Sequence, residues 1–384
     1  MPIFLWICIL LVLPTWSWAA PKALELDPQL AQVIEKLLQL PETQGPVDAD
    51  LVEPLVHWVR GLKDGEELSL PRRSDVPGAA LVFSVAAPFE VVVPYGYHPD
   101  LPSYATMPSS IRFQGWTTEA AQEAMRRLVS DLRPGVVRGI EDEVITPNVD
   151  TGGYYHYRQK RVVALVGLAN GPALVSVACQ VEPSSVGKRG VVVGEDQAWN
   201  YLFSEKVGLG GALGWVKSYM YEGCSVAVFL PDGPRATRVA SLKWLRAGWS
   251  GINMVRPSHI VEGMQRFARD FRAILESPKL PPLAEALSLV RQVRSLPEDR
   301  LRHFAWGVLQ AMSAQLRDRD WISAIQGGEY MDAVERRELE RLVFLEMWKC
   351  HLGRSSSLAS CTQPLMGALW RFGQCAQASP KLGW

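Results

Sequence analysis

Two acidic clusters hold the residue types best suited to moving a proton. Glu141-Asp142-Glu143 lies in a strand-like run, and Glu195-Asp196 precedes another. Strand alternation sets Glu141 and Glu143 on one face. Buried side by side, two carboxylates repel and one keeps its proton, which makes an acid/base couple. A solvated strand face is the plainer reading, and the preferred one. His156, within Tyr154-Tyr155-His156-Tyr157, offers a polar group to a pocket, and His259 opens a long helix. His57, His98 and His303 stand apart, and no histidine pairs with another at metal-ligand spacing, so no metal is expected.

Other chemistry is missing from the pattern. No GxSxG elbow occurs. The run Gly208-Leu209-Gly210-Gly211-Ala212-Leu213-Gly214 lacks the third glycine of a dinucleotide fingerprint. It also precedes a strand, whereas a phosphate loop must open a helix, so it reads as a flexible turn. Val186-Gly187-Lys188-Arg189-Gly190 lacks the upstream glycine of a P-loop. No catalytic residue and no cofactor is assigned.

Aromatic residues gather in the strand-like middle of the chain. Trp199, Tyr201 and Phe203 alternate, as do Trp215, Tyr219 and Tyr221 around Lys217, and Trp244 and Trp249 close the last strand. Such stripes line ligand pockets with apolar walls and a few polar handles. More often they pack on one another as ordinary core. A long helix follows from Pro257. Ile260, Met264, Phe267, Ala268, Phe271, Ile274 and Leu275 recur at intervals of three and four, a stripe made to be buried. If a cavity lies between sheet and helix, Tyr201, Trp215, Tyr219 and Trp244 should line it from the sheet. Met264, Phe267 and Phe271 should line it from the helix.

The elements that must hold these residues follow a simple order. Ile3 to Leu13 is an apolar run ended by Pro14, and Ser17 and Ala19 suit cleavage before Ala20, so residues 1–19 read as a signal peptide and the mature chain as exported. The run is too short to span a membrane, which takes about 20 residues. No Asn-X-Ser/Thr acceptor occurs, which favours a periplasm over a eukaryotic secretory route. Residues 20–77 read as a helical lead-in and linker, with helices after Asp27-Pro28 and from Asp50 to about Gly61, then a polar linker from Lys63 to Pro77. Residues 78–279 form an α+β domain. Strands are expected over Ala80–Val85, Phe89–Val93, Val136–Ile145, Tyr154–Leu168, Ala173–Val181, Ala198–Phe203, Ala212–Tyr221, Ser225–Leu230 and Arg235–Trp249. Pro94 to Gly115 is a long loop of the kind that forms lids, and Thr117 or Thr118 caps a helix to about Leu132. Residues 280–384 are helical throughout, and the Lys279-Leu280-Pro281-Pro282 boundary predicts a tail that the middle domain can fold without.

Lysine plus arginine and aspartate plus glutamate number 40 each, so the general basic surface of a nucleic-acid binder is absent. At 48% hydrophobic and 21% charged, the composition is globular. Beyond the signal stand Cys179, Cys224, Cys350, Cys361 and Cys375, an odd number without CxxC spacing. Cys179 and Cys224 lie in strand-like segments, as neighbours or simply as small core residues. Cys361 and Cys375 flank a short segment and are the favoured bridge.

The order strand, helix, antiparallel strands, long terminal helix resembles the START and Bet v 1-like helix-grip superfamily, from about Gly78 to Ser277. The resemblance lies in element order and in the amphipathic helix. It implies a sheet gripping one helix, with a ligand filling the space between. Binding of an apolar or amphipathic small molecule without catalysis is the leading expectation. A hydrolase or cyclase using His156, Glu141 or Glu195 in the same cavity is a second. A scaffold whose helical tail docks a partner protein is the third.

Overall fold

The computed structural model describes residues 21–24, 26–207 and 216–354. The expected signal peptide, the glycine run, Trp215, Cys361 and Cys375 lie outside them. The chain opens with β1 (Lys22–Ala23), α1 (Pro28–Gln39), α2 (Ala49–Gly61), β2 (Glu67–Arg73) and β3 (Val76–Val85). Next come α3 (Phe89–Tyr97), β4 (Ile111–Trp116), α4 (Glu119–Asp131), β5 (Gly135–Ile145), β6 (Gly153–Tyr154), β7 (His156–Leu168) and β8 (Gly171–Gln180). After β9 (Lys188–Val192), β10 (Tyr201–Val207), β11 (Ser218–Pro231), β12 (Thr237–Trp249) and β13 (Ile252–Asn253) the chain enters α5 (Pro257–Leu275). The helices α6 (Leu283–Ser295), α7 (Glu298–Ser313), α8 (Arg319–Gln326), α9 (Glu329–Ala333) and α10 (Arg336–His351) complete it.

The main sheet runs β1-β2-β3-β12-β11-β8-β7-β5-β4, with β13 on β12, and a small sheet runs β10-β9-β6. Every described pair is antiparallel except β1 with β2. The last long strand, β12, inserts between β3 and β11, so the early and late halves of the sheet meet there. From β12 the chain passes through β13 into α5, which packs across β3 and β12. Pro257 in its first turn suits a helix start, because its missing N–H would have no partner there.

Both faces of this sheet are covered. Val162, Ala164, Val175, Val177, Val226, Leu242 and their neighbours pack on α1 and α2. The alternate residues Val163, Leu165, Leu174, Phe229 and Val239 face α3 and α5. Strands buried on two faces read as unbroken apolar runs, which is how β7 and β8 look in the sequence. The α1 helix starts where expected, with the Asp27 carboxylate accepting from the N–H groups of Gln29 and Leu30.

Four sequence expectations need correction. Phe89–Val93 is the start of α3 rather than a strand. Pro88 stands at its N-cap, and the β-branched valines that suggested a strand are packed in the core. The linker expected over Lys63–Pro77 contains β2, a full partner of β3, so the sheet begins before Gly78. The loop expected over Pro94–Gly115 shrinks to about Pro99–Ser110, because α3 and β4 take its ends. The separate strands expected to end at Tyr221 and to begin at Ser225 are one: β11 runs through Glu222-Gly223, with a bulge between Met220 and Glu222.

The described part of the tail, to residue 354, is helical as expected, but its core is not its own. Leu301, Val308, Leu339, Phe344 and Trp348 belong to the same continuous core as Phe83 and Phe271. Trp348 Nε1 donates to the Ala105 carbonyl at 2.8 Å, and Arg341 donates to the Tyr201 carbonyl at 3.2 Å.

Candidate functional site

A cavity of about 370 Å³ lies between the inner face of the sheet and α5. Met264, Phe267 and Phe271 of α5 line it, with Tyr97 of α3, Phe229 of β11 and Leu245 of β12. Phe271 is 1% exposed and Phe267 only half-buried. Their rings sit 5.1 Å apart, with Phe229 6.3 Å from Phe271 and Phe83 5.7 Å from Phe267. The approach of α3 is close at Gly96, where a Cβ would lie 3.4 Å from the Phe271 ring.

The sheet side of the cavity is charged. Glu141 and Glu143 of β5 are both buried, against the expectation of a solvated face. Gln114 Nε2 bridges them, at 3.0 Å from Glu141 and 3.2 Å from Glu143. Gln159 Nε2 does the same at 3.3 and 2.9 Å, and the Tyr157 hydroxyl donates to Glu143. Arg161 of β7 reaches Glu141 at 2.5 Å and Glu143 at 3.8 Å. The nearer contact is an ion pair whose N–H is not aimed as a hydrogen bond, so Arg161 Nε stays unsatisfied in that sense. Burial raises the Glu141 carboxyl above the usual carboxylate range, and Arg161 only partly offsets it. Lys243 of β12 also lines the cavity, and among the described residues it makes no ion pair or hydrogen bond. Burial lowers its amine, with Glu143 opposing. Ser110 Oγ, at the rim, is buried without a partner.

The structure brings together only some of the candidates. Met264, Phe267, Phe271 and Glu141 meet at the cavity. Trp244 does not. Ser241, Lys243 and Leu245 point inward, so alternation sends Trp244 to the opposite face. There its Nε1 donates to the Pro71 carbonyl at 3.0 Å, and its ring covers Gly78, where a Cβ would fall 2.4 Å from the indole. Tyr219 stacks on Tyr221, 6.1 Å away, outside the cavity lining, because the β11 bulge resets the alternation. Tyr201 is fully buried in the small sheet, and its hydroxyl donates to Asp196 Oδ1 at 2.8 Å. Asp196 in turn pairs with Arg266 and Arg269 of α5, each at 2.6 Å. Burial alone would raise the Asp196 carboxyl, but Arg266 and its other donors hold it below the usual range. Tyr201 therefore anchors α5 and does not touch the space beside it.

His156 faces a different cleft, where its Nε2 lies 3.4 Å from Asp142. Glu195 is exposed. That cleft, about 1020 Å³ between β4, β5, the small sheet and α8–α10, is the larger space. Its charges are largely consumed by the fold, in Arg112–Glu338 at 3.0 Å, Arg189–Asp318 at 2.6 Å and Lys188–Glu205. The smaller cavity is the better site because, of the two, it alone is lined by buried polar atoms left without a hydrogen bond among the described residues, Ser110 Oγ and Arg161 Nε. Sequence reasoning missed Arg161 and Lys243. The signal was there in polar residues at alternate positions of neighbouring strands: Glu141 and Glu143, Gln159 and Arg161, Ser225, then Ser241 and Lys243. No group of metal ligands occurs among the described residues.

No protein-family model and no curated protein matches the chain. Similar solved structures include a START superfamily protein from Mycobacterium smegmatis, at 10% identity over 51% of this chain and 94% of that one, with TM-score 0.29. Human StAR-related lipid transfer protein 5 is 10% identical over 62% of this chain and 95% of its own, with TM-score 0.31. A norcoclaurine synthase point mutant from Thalictrum is 11% identical over 51% and 92%, with TM-score 0.24. All three scores are low, and the fold assignment rests on the strand order of this chain. With β12 closing the sheet onto β3 and α5 laid across the inner face, the protein has an α+β fold in which an antiparallel sheet grips one long helix.

Proposed function

We propose that the protein binds a small amphipathic molecule in the cavity between its sheet and α5. One observation carries this reading: an apolar wall of Met264, Phe267, Phe271 and Phe229 ends at a buried polar cluster with unsatisfied atoms. A solid core would not leave Ser110 Oγ unbonded, since orphaned buried polar groups are costly, and the half-buried Lys243 on the same wall forms no ion pair among the described residues. The ligand's apolar body lies along α5, and its polar group meets Lys243, Arg161 or Ser110. Of the three residues first considered for catalysis, His156 and Glu195 are elsewhere and Glu141 alone lines the cavity. The proposal includes export. The apolar run at Ile3–Leu13 and the Cys179–Cys224 disulfide both suit an oxidising compartment.

The test is mass spectrometry of organic extracts from natively purified protein, with thermal shifts for a panel of fatty alcohols, fatty acids and sterols. A bound compound with a hydrocarbon body and one polar end is expected. An empty protein whose melting point no member of the panel moves would overturn the reading.

A further inference from the structure

Among the charges that line the cavity, the half-buried Lys243 stands out because it has no partner of its own among the described residues. Arg161 satisfies Glu141 and reaches Glu143, and Gln114, Gln159 and Tyr157 complete the two carboxylates. Lys243 lies in the same layer, flanked by Ser241 and Leu245 on its strand and aligned with Ser225 of β11. A lysine kept only to neutralise Glu143 would be drawn into contact with it, yet no such contact forms.

The charges also restrict what the cavity can accept. Two carboxylates, Glu141 and Glu143, face two cationic side chains, Arg161 and Lys243. An anionic ligand would add a third negative group beside them. A cationic one would sit against Arg161 and Lys243. A neutral ligand leaves the balance intact. Moving one proton from Lys243 to Glu141 also keeps the net charge while removing two buried charges. Burial favours that exchange at both ends, since it disfavours the charged form of each group. It leaves a free amine in an apolar pocket, the state in which lysine attacks carbonyl carbon.

Resting on the binding role proposed above, we propose that Lys243 holds an apolar aldehyde or ketone as an imine, so that the ligand is bound covalently and reversibly. The amine lone pair forms the C–N bond, the C=O π bond breaks, and one proton passes from the nitrogen to the carbonyl oxygen, which becomes a hydroxyl. The hydroxyl then takes a proton from the Glu141–Glu143 pair and leaves as water. The nitrogen returns a proton to the same pair, so carbonyl and amine give imine and water with no other reactant. Release is the reverse hydrolysis.

The experiment treats the full chain with dodecanal and sodium cyanoborohydride, then maps the adduct by peptide mass spectrometry. In parallel, dodecanal and dodecanol compete with an apolar fluorescent dye. A reduced adduct on Lys243 is expected, suppressed by excess dodecanol and absent from Lys243→Arg. Dodecanal should also displace the dye about tenfold more tightly than dodecanol, the gain of one further bond of modest net strength. If Lys243→Arg does not fold, suppression by dodecanol in the unaltered protein decides the matter alone. Dye displacement by dodecanol without an adduct on Lys243, or adducts spread over surface lysines, overturns the imine and leaves the binding role standing. If neither compound displaces the dye and no adduct forms on Lys243, both fall.

Discussion

At the scale of residues, the site depends on which way each side chain of a strand points. Glu141 and Glu143 were legible as a same-face pair, but their burial was not, because charged residues on a strand are ordinarily solvated. What buries them is Gln159 and Arg161 on the neighbouring strand, a partnership that depends on register. Trp244 shows the converse: its bulk suggested a pocket, but the parity of β12 turned it to the face of α1 and α2. The raised Glu141 carboxyl gives a pH signature. Its folded value lies above its unfolded one, so its contribution to stability is fully present below the unfolded carboxylate range, near pH 4.3. That contribution is lost as pH rises through the folded value. Glu141→Gln cannot ionise, so its melting point should gain on that of the unaltered protein as pH rises from about 4 to about 8. A constant gap across that range would mean the carboxyl is not shifted. The two phenylalanines separate core from cavity. Phe271→Ala should cost about 3–5 kcal/mol in urea unfolding, because its ring is 1% exposed and packs on Phe267 and Phe229. Phe267→Ala should cost less, because part of its ring already faces open space. Equal costs would mean that α5 fills a solid core.

At the scale of elements, the helical stripe of α5 and the paired runs of β7 and β8 were readable from period alone. The tail misled because helices and strands change over sharply at Pro281-Pro282, and a change of pattern looks like a change of domain. Burial decides otherwise. Trp348 and Phe344 of α10 sit beside the loop after α3, where Tyr104 meets the Phe344 ring at 5.6 Å. Glu338 of α10 is clamped between Arg341 and Arg112. Burial would raise that carboxyl, but the two arginines hold it below the usual range. A chain ending at Pro278 would expose this apolar surface to water and strip Arg112 of its carboxylate partner. It should aggregate or melt without cooperativity by circular dichroism. A sharp, reversible melt would restore the tail to the separable unit its sequence suggests.

At the scale of the whole molecule, two cores share one sheet, and the Cys179–Cys224 disulfide ties β8 to β11 across a separation of 45 residues. The sequence offered these cysteines as neighbours without choosing between a bridge and two small core residues, since cross-strand register is invisible in one chain. Reduction should lower stability by about 2–4 kcal/mol. Dithiothreitol should shift the unfolding midpoint of the unaltered protein and leave that of Cys179→Ser/Cys224→Ser unmoved. The two covered faces have a further consequence for any molecule held inside. Leaving through the sheet would mean parting ladder hydrogen bonds under a second layer of helices. The stretch from Pro99 to Ser110 is the wall with the least regular structure, and α10 and Asp270 of α5 pin it through Ala105 and Ser109. On the binding role proposed above, that latch would set how long a ligand stays, while the pocket would set how tightly it is held.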